Sequence, residues 1–154
     1  MSRAFVKEDA AENFEDLPDR PVSEHPNYVT SQGVALIEAE LARLSQQHAA
    51  AQAAEDRAAL ARTARELRYW TARRATAQVI APPEDAREVR FGSTVTLGRD
   101  DGRRQTFRIV GEDEADPNLG TLSHVSPLAR ALFGKQVGDV VPAGQDEAEI
   151  LAIR

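Results

Sequence analysis

Phe107-Arg108-Ile109-Val110-Gly111-Glu112-Asp113-Glu114 is the stretch on which the fold turns. Residues 105–110 alternate polar and apolar side chains, the period of a half-buried strand. Just upstream, Asp100-Asp101-Gly102 has the chemistry of a hairpin turn. Residues 93–97 then supply the partner strand, with Val89-Arg90-Phe91-Gly92 as further strand material around a glycine. Downstream, residues 122–125 read as a short strand. Ser126 can cap a helix that starts on Pro127, runs to Phe133 and stops at Gly134. Residues 147–153 close as a last strand. This order predicts an α+β domain over 82–154, an antiparallel sheet with one short helix.

Preceding that domain, the period changes from two to that of a helix. Thr30 or Ser31 is a cap candidate, and Val34, Ile37, Leu41 and Leu44 follow in one narrow apolar stripe, a coiled-coil seam. A second helical segment, 56–77, places Leu60, Ala64, Leu67 and Thr71 in a matching register. No Gly or Pro occurs between Val34 and Ala81, so either one long helix or a hairpin with a subtle bend near 51–55 fits; Pro82-Pro83 end the region. The hairpin reading gives an antiparallel helical coiled-coil over 28–81. Residues 1–27 are acidic, poor in apolar groups (Phe5, Val6, Phe14, Leu17) and broken by Pro18, Pro21 and Pro26. They read as a flexible acidic tail.

Composition removes several classes of function. Without cysteine there is no disulfide scaffold, thiolate metal site or cysteine nucleophile. No apolar run approaches the roughly 20 residues of a membrane span, and the first residues lack a signal-peptide core. A soluble, cytoplasmic monomer is expected. The net charge of −6 argues against a protein that coats nucleic acid. Its distribution is uneven: residues 31–80 hold seven basic and five acidic side chains between two acidic flanks. Arg57, Arg62, Arg65, Arg68, Arg73 and Arg74 either form a solvated helix face or approach a charged partner. The histidines His25, His48 and His124 have no second ligand at metal spacing, and no nucleotide-loop or nucleophile-elbow motif is present.

Several motifs in order resemble the GreA/GreB transcription elongation factor family. Val29-Thr30-Ser31-Gln32-Gly33 is similar to the family's V-T-x-x-G, and Phe91-Gly92-Ser93-Thr94-Val95 to its F-G-x-x-V. The stretch 107–114, Ser126-Pro127-Leu128-Ala129-Arg130-Ala131-Leu132 and Val137-Gly138-Asp139 complete the likeness. The resemblance implies a helical hairpin followed by an FKBP-like domain that docks at the secondary channel of RNA polymerase. It places docking on Ser126, Pro127 and Arg130, although Val125 stands where the family often has an Asp; read alone, Ser-Pro is a helix cap. It also implies contact with RNA or DNA only inside the elongation complex, and a factor that is not itself an enzyme. The FKBP-like fold alone does not assign prolyl isomerisation, because Phe91, Phe107 and Phe133 suit a core better than a proline pocket.

At the hairpin tip the resemblance thins. The family's G-D-x-x-E-N-A carries acids that help hold a magnesium ion shared with the polymerase, in a two-metal hydrolysis of backtracked RNA. Here the nearest stretch is Ala54-Glu55-Asp56-Arg57-Ala58-Ala59, with Ala59 where the Glu belongs. Glu55 and Asp56 are the candidate tip acids, yet acids there equally complement a helix N-terminus. No cofactor of its own is expected. Each arm is also about eight to ten residues shorter than is typical of the family, roughly 12–15 Å of helix. Transcript-cleavage stimulation is therefore doubtful. The short coil also resembles Rnk-type relatives, regulators linked to nucleoside diphosphate kinase.

Overall fold

The computed structural model describes residues 17–154. Most of the acidic tail, with Phe14, lies outside the described residues. The chain divides into two compact units, one built on Ala35–Thr76 with the segment ending at Glu24, the other on His25–Val34 with Ala77–Arg154.

In the first unit, helices α1 (Ser31–Ala53) and α2 (Arg57–Thr76) form the hairpin, separated by three residues. Ile37, Leu44 and Ala51, seven residues apart, are buried, with Leu41 and His48 half-buried between them. That is the expected seam. On α2 the seam runs through Leu60, Thr63, Leu67 and Trp70, whereas Thr71 is exposed. Trp70 offers far more apolar surface than Thr71, so the helix presents the indole side inwards. The Thr63 hydroxyl donates to the Ala59 carbonyl at 2.8 Å and lies 2.6 Å from His48 Nδ1, joining the two arms. Arg74 and Glu38 pair across them at 3.1 Å.

The segment before the hairpin lies against α2. The Pro18 carbonyl accepts from Arg65 Nε at 2.7 Å, and Asp19 takes Arg68 Nε at 2.6 Å. Arg20 donates to Glu66 at 3.0 Å while its guanidinium stands 3.8 Å from the Tyr69 ring centre and 5.8 Å from that of Trp70. One cation thus satisfies a carboxylate and covers two aromatic faces.

In the second unit, β1 (Tyr28–Val29) and β2 (Gln78–Val79) pair in parallel. The main sheet holds β3 (Thr94–Arg99), β4 (Arg104–Val110), β5 (Thr121–Ser123), β6 (Val140–Ala143) and β7 (Asp146–Ile153) in the order β5-β4-β3-β7-β6. Four of these strands pair antiparallel, while the short β5 joins β4 in parallel. A register shift between Thr96 and Leu97 bends the β3–β7 pair. Strand structure starts at Thr94, because Phe91-Gly92 turn, with Gly92 at φ +86°. The Asp100-Asp101-Gly102 turn closes the β3–β4 hairpin as expected, Gly102 lying at φ +84°. Helix α3 (Pro127–Leu132) drives Ala129 and Leu132 into a core with Val95, Leu97, Ile109 and Ile150. No helix among the described residues is long and apolar enough to cross a membrane.

Candidate functional site: hairpin tip and docking face

Helix α1 ends in a Schellman motif. The Asp56 N–H reaches back to the Ala51 carbonyl at 3.0 Å and the Glu55 N–H to that of Gln52 at 3.2 Å. Glu55 therefore occupies the left-handed position that glycine usually fills, at φ +53°. Asp56 then caps α2, its carboxylate accepting the Ala59 N–H at 3.1 Å. The reversal is complete in Ala54-Glu55-Asp56.

This geometry decides what the tip acids can do. Both side chains are exposed, but one oxygen of Asp56 is already committed to the cap. Among the described residues, no group of three or more His, Cys, Asp or Glu side chains converges as a metal cage. The two acids do not fit a resident ion, which needs a fuller oxygen shell. They are placed to add at most one or two oxygens to an ion held elsewhere.

The docking candidates sit at the start of α3. Ser126 Oγ accepts the Ala129 N–H at 3.2 Å, and Pro127 occupies the first helical position. The cap uses a lone pair of the hydroxyl, which leaves its O–H able to donate outwards. Arg130 is exposed one turn on, with Nη2 3.3 Å from His25 Nε2. Ser126, Pro127 and Arg130 thus share one end of a six-residue helix whose other side is core.

The basic face of the hairpin is smaller than the sequence implies. Arg65, Arg68 and Arg74 are held by Pro18, Asp19 and Glu38, and Arg73 is buried. Arg57 and Arg62 remain exposed. Arg43 hydrogen-bonds Glu40 and thereby holds its carboxyl below the ordinary glutamate range. In the hairpin turn, the Arg103 backbone N–H first, then its side chain, does the same for Asp101.

One cluster explains two sequence motifs at once. Glu114 accepts the Thr30 N–H at 2.9 Å, the Thr30 hydroxyl, and the Gly111 N–H at 3.2 Å. Thr30 in turn caps α1 by accepting the Gly33 N–H at 3.0 Å. A Cβ on Gly33 would lie 2.2 Å from the Glu114 carboxylate, and one on Gly111 would lie 2.5 Å from the Tyr28 carbonyl. Hence V-T-x-x-G and the run from Gly111 to Glu114 are two halves of one lock. Reading each motif locally misses it; a Thr cap with a Gly three residues on was the available signal.

Residues 84–154 match the family model described as "Transcription elongation factor, GreA/GreB, C-term". Over this domain the chain is similar to the GreA/GreB family. Among curated GreA/GreB relatives, transcription elongation factor GreB of Neisseria meningitidis serogroup B is 45% identical over 95 residues, covering 58% of this chain and 58% of that one. Transcription elongation factor GreA of Alkalilimnicola ehrlichii is 48% identical over 85 residues, 51% of this chain and 54% of that one. The chain therefore spans little more than half the length of these relatives. Among solved structures, GreA factor homolog 1 (Gfh1) of Thermus thermophilus aligns over 84% of this chain and 99% of its own, at 19% identity and a TM-score of 0.41.

Proposed function

We propose that this protein is a GreA/GreB-type transcription elongation factor of the cytoplasm that docks on RNA polymerase at the secondary channel and modulates paused or backtracked complexes. The family match over residues 84–154 carries the reading. The exposed end of α3, with Ser126, Pro127 and Arg130, is the docking face. The factor is not an enzyme in its own right; hydrolysis of RNA would be the polymerase's.

Within that role, occupancy of the channel is favoured over strong cleavage stimulation. Asp56 is spent on a helix cap, Ala59 replaces the second acid of the family tip, and the arms hold only 23 and 20 residues. The test is transcript shortening in a reconstituted backtracked polymerase complex, with this protein alone and in competition with an active cleavage factor. Suppression of the competitor without cleavage is the expected result. Vigorous cleavage by the protein alone would overturn the channel-occupant role, and failure to compete would overturn docking.

A further inference from the structure

Residues 18–20 sit on α2 as a ligand sits on a receptor, and their contacts show what that face takes. Arg65 Nε donates to the Pro18 carbonyl at 2.7 Å and Arg68 Nε to the Asp19 carboxylate at 2.6 Å. In sequence between those arginines, Glu66 accepts from Arg20 at 3.0 Å, and the same guanidinium lies 3.8 Å from the Tyr69 ring centre. Arg65, Arg68 and Tyr69, like Glu66 and Tyr69, stand three or four residues apart on α2 and so share one side of the helix. That side reads an extended backbone in which an acid is followed by a base. The hold is a weak one. The Asp19 side chain is 73% exposed and that of Arg68 50%, and ion pairs so open to water contribute little. Pro18 and Pro21 flank the Asp19-Arg20 pair and favour extended backbone with or without the contact.

We propose that residues 18–20 are an autoinhibitory contact, covering a site on α2 that binds an extended polypeptide segment of a partner in which an acid precedes a base. Binding displaces residues 18–20 and exchanges one acid–base pair for another on the same groups of α2. Glu66 decides the class of partner. It takes a cation, where a nucleic acid offers only phosphates that its own charge repels. A polypeptide supplies the carboxylate for Arg68 and the cation for Glu66 together. The cover lowers a partner's apparent affinity in proportion to the fraction of molecules in which the face is open. It therefore sets a threshold that a poorly matched segment does not cross.

The chain itself supplies the probe: a fluorescent synthetic peptide with the sequence of residues 17–22, ends blocked, titrated with the full chain and followed by anisotropy. Asp19→Asn combined with Arg20→Gln opens the face without altering α2. This double variant should bind the peptide about ten-fold more tightly than the natural protein. Adding Arg68→Ala should remove the gain. Asp19→Asn alone leaves Arg20 over Tyr69 and should give a smaller gain. Trp70, the only tryptophan, has its ring centre 5.8 Å from the Arg20 guanidinium and reports displacement independently through its fluorescence. Equal affinities of the natural and doubly substituted chains overturn the proposal, as does failure of both to bind the peptide. A single-stranded oligonucleotide that gains affinity from the same variant where the peptide does not also overturns it, in favour of a nucleic-acid face.

Discussion

A half-buried carboxylate that gathers three donors resists replacement, and Glu114 is such a group. Glu114→Ala strands the Thr30 and Gly111 N–H groups and should cost about 2–3 kcal/mol in urea unfolding, since hydrogen bonds to a charged acceptor are the strong kind. Gly33→Ala displaces the same carboxylate, so alone it should lose much of that stability. In the Glu114→Ala background the clash has gone. There, Ala at position 33 should stabilise by about 0.5–1 kcal/mol, as alanine normally does inside a helix. Simple additivity across this double-mutant cycle would refute the lock. Glu40 gives a pH-dependent counterpart. Its folded titration lies below its unfolded one, chiefly through the hydrogen bonds of Arg43. The associated stability is therefore present above the unfolded value and lost as pH falls through the folded one. NMR titration of the side-chain carboxyl should show Arg43→Ala returning Glu40 to the ordinary glutamate range.

At the scale of elements, the turns separate what was legible from what was not. The two-residue period of 105–110, the Asp-Asp-Gly hairpin and the Ser-Pro start of α3 are local signals, and each element formed where its own residues dictate. The hairpin bend was harder because its glycine position holds Glu55, so the usual stop signal is missing. The strap at 17–20 was illegible because its partners lie more than 45 residues away on α2. The parallel edge β5 follows from a connection that no local period encodes. Position 55 yields a test that separates folding from chemistry. Glu55→Gly should raise stability by about 0.5–1 kcal/mol by relieving the left-handed backbone. Asp56→Asn should keep the α2 cap within a few tenths, whereas Asp56→Ala should lose about 1 kcal/mol. The first two variants thus remove the tip carboxylates from a fully folded hairpin. The proposed docking helix can be dissected the same way. Arg130→Ala should change stability by less than about 0.5 kcal/mol, as an exposed site, yet weaken competition for polymerase. Ser126→Ala should cost about 1 kcal/mol as a lost cap, with unfolding and competition read separately. Unchanged competition by Arg130→Ala would remove that residue from the docking face.

For the whole molecule the open question is reach against chemistry, and the hairpin's length is the variable that separates them. Arms of 23 and 20 residues span roughly 34 and 30 Å at 1.5 Å per residue. One heptad inserted into each arm, after Leu44 and before Thr63, keeps the seam in register and carries the tip about 10 Å further. If reach limits the protein, the lengthened form should shorten backtracked RNA faster than the natural one. That gain should vanish when Glu55→Gly and Asp56→Asn are added, because both variants preserve the turn while removing its charge. A lengthened hairpin that still competes but never cleaves would place the limit in the tip itself, where Ala59 stands in for an acid and Asp56 caps its own helix. Loss of competition on lengthening would mean instead that the short hairpin is matched to its binding site. In that case hairpin length, and not the tip, would be what fits the protein to the proposed channel.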